Sequence, residues 1–167
     1  MRVILSIAAS FALYSSAALG QAAERPQQSV KAKYPMAQNY NPADDANAMV
    51  NAALKRAAVN GKRIIIVMGA NWCHDSIVLA GWFDRSGFAA MMQPKFEIVY
   101  VDVGTPQTDN GRNMDIAKRF KAKRINGTPT VLILSAQGKL LNKKDAGTWR
   151  NAASRNEQDI FSYFADL

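Results

Sequence analysis

The sequence predicts an α/β domain with a central mixed β-sheet flanked by helices, and three observations carry that prediction. Ile64-Ile65-Ile66-Val67-Met68 is an unbroken apolar, largely β-branched run, which suits a strand buried on both faces. From Asn41 onward, segments with apolar residues at helical spacing alternate with shorter strand-like runs. Gln137-Gly138 supplies a hairpin turn into Lys139–Asn142, so a last strand can fold back on its neighbour. The 167 residues, 49% hydrophobic and 20% charged, suit one ordinary core and exclude disordered, collagen-like and repeat architectures.

The elements follow in order. Asn41 is placed as a helix cap, with Pro42 at the first helical position and Asp44 and Asp45 in the first turn, where acids favour the positive end of the helix dipole. Ala46, Met49, Val50, Ala53, Leu54 and Ala57 form its inward face, and Asn60-Gly61 closes it. The strand Ile64–Met68 turns at Gly69–Cys73 into a helix from about His74, with a break near Ser86-Gly87 and a stop at Pro94. Phe96–Val103 reads as a strand, Gly104–Gly111 as a polar turn region, Arg112–Lys121 as a helix and Thr130–Leu134 as a short strand. The strand Lys139–Asn142 and a closing helix from Asn156 to Ala165, with Ile160, Phe161 and Phe164 inward, complete the domain. No internal repeat or low-complexity tract interrupts it.

The first twenty residues stand apart. Arg2, the apolar run Val3–Leu13 and the small residues Ser15–Gly20 form the pattern of a secretory signal peptide, with a cleavage site either at Ala18-Leu19-Gly20 or one to three residues later, among Gln21, Ala22 and Ala23. The competing reading is an uncleaved membrane anchor. The expected organisation is a signal peptide over residues 1–20, a linker or arm over 21–40 and the folded domain over 41–167. The implied location is periplasmic or secreted. Charge survives export: the chain carries +8 from 21 Lys and Arg against 13 Asp and Glu, and residues 1–20 remove one Arg and no acid, leaving +7.

Cysteine usage narrows the chemistry. Cys73 is the only cysteine and His74 the only histidine, so no intrachain disulfide can form and a Cys/His zinc cage is excluded. A lone cysteine in an oxidising compartment is unusual and marks either a reactive thiol or an intermolecular partner. In Trp72-Cys73-His74-Asp75-Ser76 the cysteine lies where a buried strand gives way to a helix, so its sulfur would face that helix's unpaired N–H groups, which favour thiolate. Ser76 follows one helical turn later, where its hydroxyl can donate to the sulfur. The competing reading is a small buried hydrophobe.

Trp72-Cys-x-x-Ser after an apolar strand, together with Ile125-Asn126-Gly127-Thr128-Pro129-Thr130 before a strand and a Gly-containing hairpin, resembles the thioredoxin superfamily. The resemblance covers about residues 42–165, and Gly69–Ser76 is similar to a group of exported bacterial thioredoxin-like proteins. It implies the thioredoxin fold, a cis bond before Pro129 lying against the sulfur of Cys73, and pairing of the Thr128 backbone with a bound substrate strand. The departures are informative. Ser76 stands where a resolving thiol would be, and Val67 where cytosolic thioredoxins carry a buried acid. The Gly-Gly-x-Asp segment of monothiol glutaredoxins is missing, since Gly138 is followed by Lys139-Leu140-Leu141-Asn142.

The expected function is therefore an exported thiol-disulfide oxidoreductase working through Cys73 alone and through intermolecular mixed disulfides. Cys73 and Ser76 are its expected catalytic residues, and Trp72, His74, Thr128 and Pro129 its substrate-binding residues. No cofactor and no metal are expected. The expected partners are a protein or small-molecule thiol or disulfide and an external thiol reductant, with no nucleic acid, and a membrane only if the signal segment is uncleaved. The alternative is a non-catalytic thioredoxin-fold scaffold that recognises a protein partner. Met68, Met91, Met92 and Met114 are read as core rather than as soft-metal ligands. Lys118, Arg119, Lys121, Lys123, Arg124, Lys139, Lys143 and Lys144 form a basic region suited to a solvated face, an acidic partner or an anionic surface. Asn126-Gly127-Thr128 matches a glycosylation triplet by coincidence.

Overall fold

The computed structural model describes residues 34–122 and 126–167. The expected signal peptide, most of the expected arm, and Lys123, Arg124 and Ile125 lie outside the described residues.

Helix α1 (Ala46–Asn60) is followed by β1 (Arg63–Gly69), α2 (His74–Asp84), α3 (Ser86–Met92) and β2 (Phe96–Asp102). The short strands β3 (Gly104–Thr105) and β4 (Asn110–Gly111) then precede α4 (Met114–Arg119), β5 (Thr130–Leu134) and α5 (Glu157–Ala165). The main sheet has the order β2-β1-β5. β1 pairs in parallel with β2, Ile65 opposite Ile98, and antiparallel with β5, Ile65 opposite Ile133. This is the mixed sheet that the sequence predicts, and its central strand is the Ile64–Met68 run.

The two-residue period of a strand explains why that run is apolar throughout. Ile65 and Val67 face one core with Val131 and Ile133, covered by α2, α3, α5 and Trp149. Ile64, Ile66 and Met68 face the other core with Val99, Leu132 and Leu134, covered by α1 and α4. All five residues of the run are completely buried. The four methionines pack as expected: Met68 and Met92 are buried, while Met91 and Met114 lie half-buried against the cores.

Several boundaries differ from the sequence reading. α1 begins at Ala46, capped by the Asp45 carboxylate accepting from Ala48 N at 2.9 Å, rather than at Asn41. Asn41 instead builds a turn, its Oδ1 accepting from Ala43 N and its Nδ2 donating to Asp44. Gly61 ends α1 in the left-handed region, as Asn60-Gly61 implies. The break after α2 falls at Arg85, and α4 is six residues long, two shorter at each end than expected.

Order also begins before Asn41. Tyr40 is fully buried, Ala37 N donates to Ile77 O at 2.9 Å, and Pro35 and Met36 lie so close to Gly81 that a β-carbon there would meet their backbone at 2.5 Å. The last residues of the expected arm are thus laid directly on α2.

The expected strand Lys139–Asn142 is reduced to one bridge, Leu134 with Leu140. The buried side-chain amide of Asn142 takes over the ladder, accepting from Ile133 N at 2.9 Å and donating to Val131 O at 2.8 Å. A side chain that satisfies β5's donor and acceptor removes the need for a paired backbone. Beyond it, two 3₁₀ turns across Thr148–Ser154, kinked at Asn151, bury Trp149 and Ala152. α5 then starts at the expected cap, Asn156 accepting from Asp159 N at 2.8 Å. Ile160 and Phe164 are buried, and Phe161 is half-buried edge-on to Phe88. Among the described residues no helix is long and apolar enough to cross a membrane.

Candidate functional site

The site forms where β1 ends and α2 begins. Cys73 is the residue before the first turn of α2, with extended backbone, and its carbonyl accepts the Ile77 N–H at 3.1 Å. Its side chain is half-buried, and Sγ donates to the carbonyl of Thr128 at 3.4 Å. Two segments fifty-five residues apart in sequence therefore meet at the sulfur. The Thr128–Pro129 peptide bond is cis and both residues are buried. Thr128 N makes no hydrogen bond among the described residues.

Two expectations about the sulfur need correction. Its hydrogen bond goes to Thr128 O, and the side chain accepts nothing from the first N–H groups of α2. Ser76, one turn on, is completely buried and its Oγ has no hydrogen-bond partner. The hydroxyl faces inward against Gly69 and Tyr40: a β-carbon on Gly69 would lie 2.6 Å from Ser76 Oγ and 2.8 Å from the Tyr40 ring. Position 76 thus belongs to the packed floor of the site.

That floor is tied by two residues absent from the sequence reading. Asn71 Nδ2 donates to Tyr40 O at 2.8 Å and its Oδ1 accepts from Tyr40 N at 3.2 Å, which fastens the arm to the turn before the cysteine. Tyr40 Oη donates to Ser76 O at 3.3 Å. Burial, with Tyr100 beside it, pushes the Tyr40 phenol well above its ordinary value of 10.0, so it stays a neutral donor. An aromatic at the end of a polar segment, just ahead of a helix, was the available signal for Tyr40.

Trp72 is half-exposed on the rim, yet its indole N–H donates to Gly104 O at 2.9 Å, which fixes the ring's position. Gly104 is held in turn by Asp102, whose Oδ1 accepts from Gly104 N at 2.9 Å and lies 3.4 Å from Arg112 Nε. His74 is exposed, edge-on to Tyr34 with ring centroids 5.8 Å apart. Asp75 turns away from the sulfur, its Oδ1 accepting from Ala153 N at 2.8 Å. The structure therefore brings together Cys73, Thr128 and Pro129, sets Trp72 and His74 around them, and puts Ser76 beneath. Val67 is buried in an apolar core, so no carboxylate occupies that strand position. Among the described residues no group of three or more His, Cys, Asp or Glu side chains could hold a metal ion.

Comparisons with known proteins agree with this architecture. A thioredoxin-like family model matches residues 45–136, which contain Cys73, Ser76, Thr128 and Pro129. Among solved structures, the chain is similar to a disulphide isomerase from Xylella fastidiosa Temecula1, with 28% identity and a TM-score of 0.70, over 78% of this chain and 96% of that one. A protein of unknown function from Pseudomonas aeruginosa aligns with 16% identity and a TM-score of 0.40, over 72% of this chain and 82% of that one. No curated protein matches the sequence. With the family match spanning more than half of the chain, and the paired cysteine and Thr-Pro segments inside it, the chain belongs to the thioredoxin-like family of the thioredoxin superfamily.

Proposed function

We propose that this protein is an exported thiol-disulfide oxidoreductase that works through Cys73 alone, passing through mixed disulfides with its substrates. The observation that carries the reading is the meeting of a half-buried Cys73 sulfur with the Thr128 carbonyl in a chain that has no second cysteine. The disulphide isomerase likeness supports the reaction class.

The chemistry is thiol exchange. The Cys73 thiol gives its proton to solvent and its hydrogen bond to Thr128 O is lost. The thiolate attacks one sulfur of a substrate disulfide, the substrate S–S bond breaks, and the departing thiolate takes a proton from water. Cys73 is left joined to the other half of the substrate. An external thiol then attacks this mixed disulfide, releasing Cys73 as a thiol and carrying away the substrate half as a disulfide. Thr128 N–H and the buried Pro129 align the substrate backbone, and Trp72, pinned to Gly104, and exposed His74 form the rim it crosses. Ser76 supports this chemistry as floor, not as a donor to sulfur. The signal-peptide pattern expected over residues 1–20 supports a location in the periplasm or outside the cell, with protein or small-molecule disulfides and a thiol reductant as the proposed partners.

The test is mass spectrometry of the folded chain after incubation with hydroxyethyl disulfide, with Cys73→Ala as blank. The expected result is an adduct on Cys73 that an added thiol removes. A Cys73 that gains an adduct only in denaturant would favour the scaffold reading, in which the thiol is inert.

A further inference from the structure

A cleft of about 740 Å³ opens along the start of α2, its lining beginning at His74 and not including Cys73 itself, a size suited to a small molecule or a short peptide segment. One wall begins at His74 and Asp75, the residues directly after Cys73, and the opposite wall is the Thr148–Ser154 segment with the start of α5. Arg150 joins this cleft to the loop whose Thr128 carbonyl meets the sulfur. Its side chain lies across Gly127, where a β-carbon would fall 2.4 Å from Arg150 Cδ. Its Nη1 donates to Asn126 O at 3.2 Å and its Nε to Gly147 O at 3.1 Å. The guanidinium is thereby held against Asn126-Gly127, immediately before the Thr128 carbonyl that receives the Cys73 thiol. Arg150 Nη2 makes no hydrogen bond among the described residues.

The charges around it favour an anion. Arg155 lines the same cleft, stacked 4.1 Å over Trp149. On its other side Arg150 borders a smaller hollow of about 260 Å³ that Lys143 and Lys144 also line. The cleft itself carries two acids, Asp75 and Glu157, beside Arg150 and Arg155, and Asp75 already accepts from Ala153 N. With Nε and Nη1 holding the Arg150 guanidinium in place, Nη2 is left to donate a charge-assisted hydrogen bond to a carboxylate.

We propose that Arg150 is a specificity-determining residue that selects thiol and disulfide substrates carrying a carboxylate, with the cleft that begins at His74 receiving the rest of the substrate. The inference rests on Cys73 being the reacting thiol. Arg150 lies beyond residues 45–136, which the family model matches.

Three disulfides of similar size and different charge test it: anionic dithiodipropionate, neutral hydroxyethyl disulfide and cationic cystamine. Rates of adduct formation on Cys73 are read by mass spectrometry in the wild type, Arg150→Gln and Arg150→Lys. The expected wild-type order is anionic over neutral over cationic, with about tenfold between the extremes, the scale of one charge-assisted hydrogen bond. Arg150→Gln should bring the anionic-to-cationic ratio close to one, Arg150→Lys should restore part of it, and added salt should shrink it in the wild type. Equal rates for the three disulfides in the wild type, or an unchanged ratio in a folded Arg150→Gln, would overturn the inference and leave the Cys73 reading standing. Absence of an adduct with all three would overturn both.

Discussion

Cys73 and Ser76 stand one helical turn apart at the start of α2, yet they live in opposite surroundings. The sulfur is half-buried and partnered, at the seam with the Thr128 loop, whereas the hydroxyl is sealed and unpartnered between Gly69 and Tyr40. The difference teaches that the two positions do different jobs in this chain. On the proposed reading position 73 supplies the reacting group, and position 76 keeps the shape of the floor.

The sharpest break of that comparison is Gly69→Ala. Its new β-carbon would press on both Ser76 Oγ and the Tyr40 ring, and overpacking of a closed site costs about 2 kcal/mol. Urea unfolding should show that loss. An unchanged midpoint would mean that the floor is loose.

Tyr40→Phe comes next, since it removes the hydroxyl that donates to Ser76 O, for a loss of about 1 kcal/mol at neutral pH. The variant also carries a pH signature. The folded chain holds the Tyr40 phenol neutral above its ordinary 10.0, so stability is full below that pH and falls as pH rises, because the unfolded chain ionises first. Tyr163, raised by burial to about 12, adds to the same alkaline fall. Unfolding measured at increasing alkaline pH should show a shallower fall in Tyr40→Phe than in the wild type.

Ser76→Ala has the smallest expected effect. Deleting a buried hydroxyl that has no partner relieves a desolvation cost while leaving a small void, so stability should stay within about 0.5 kcal/mol of the wild type. The rate of Cys73 adduct formation should also be unaltered, which a hydroxyl serving the sulfur would not allow.

How much of this was readable in the chain depends on where the controlling interactions lie. β1 was legible because both faces are buried, which leaves no polar residue to interrupt Ile64–Met68. Cys73, Thr128 and Pro129 were legible as motifs with a known spatial partner. The strand expected at Lys139–Asn142 failed because a single side chain, Asn142, imitates backbone pairing, and no periodicity reports that. The Thr148–Ser154 segment escaped notice because Trp149 and Ala152 are its only buried residues, too few to form a pattern. Tyr40 and Asn71 were missed for a related reason: their hydrogen bonds to each other, and that of Tyr40 Oη to Ser76 O, join segments distant in the chain, which residue spacing does not report.

The central claim is that Cys73 has no internal partner and must be released by a thiol from outside. It is tested most directly by placing a thiol at the sealed position. A mixed disulfide is formed on Cys73 in the wild type and in Ser76→Cys, and its decay is followed by mass spectrometry over a range of external thiol concentrations. The wild-type adduct should decay at a rate proportional to external thiol and persist without it. The Ser76→Cys adduct should decay rapidly with none added and leave an intrachain disulfide, because a thiol one turn away attacks at high effective concentration. A wild-type adduct that disappears equally fast with and without external thiol would contradict the account.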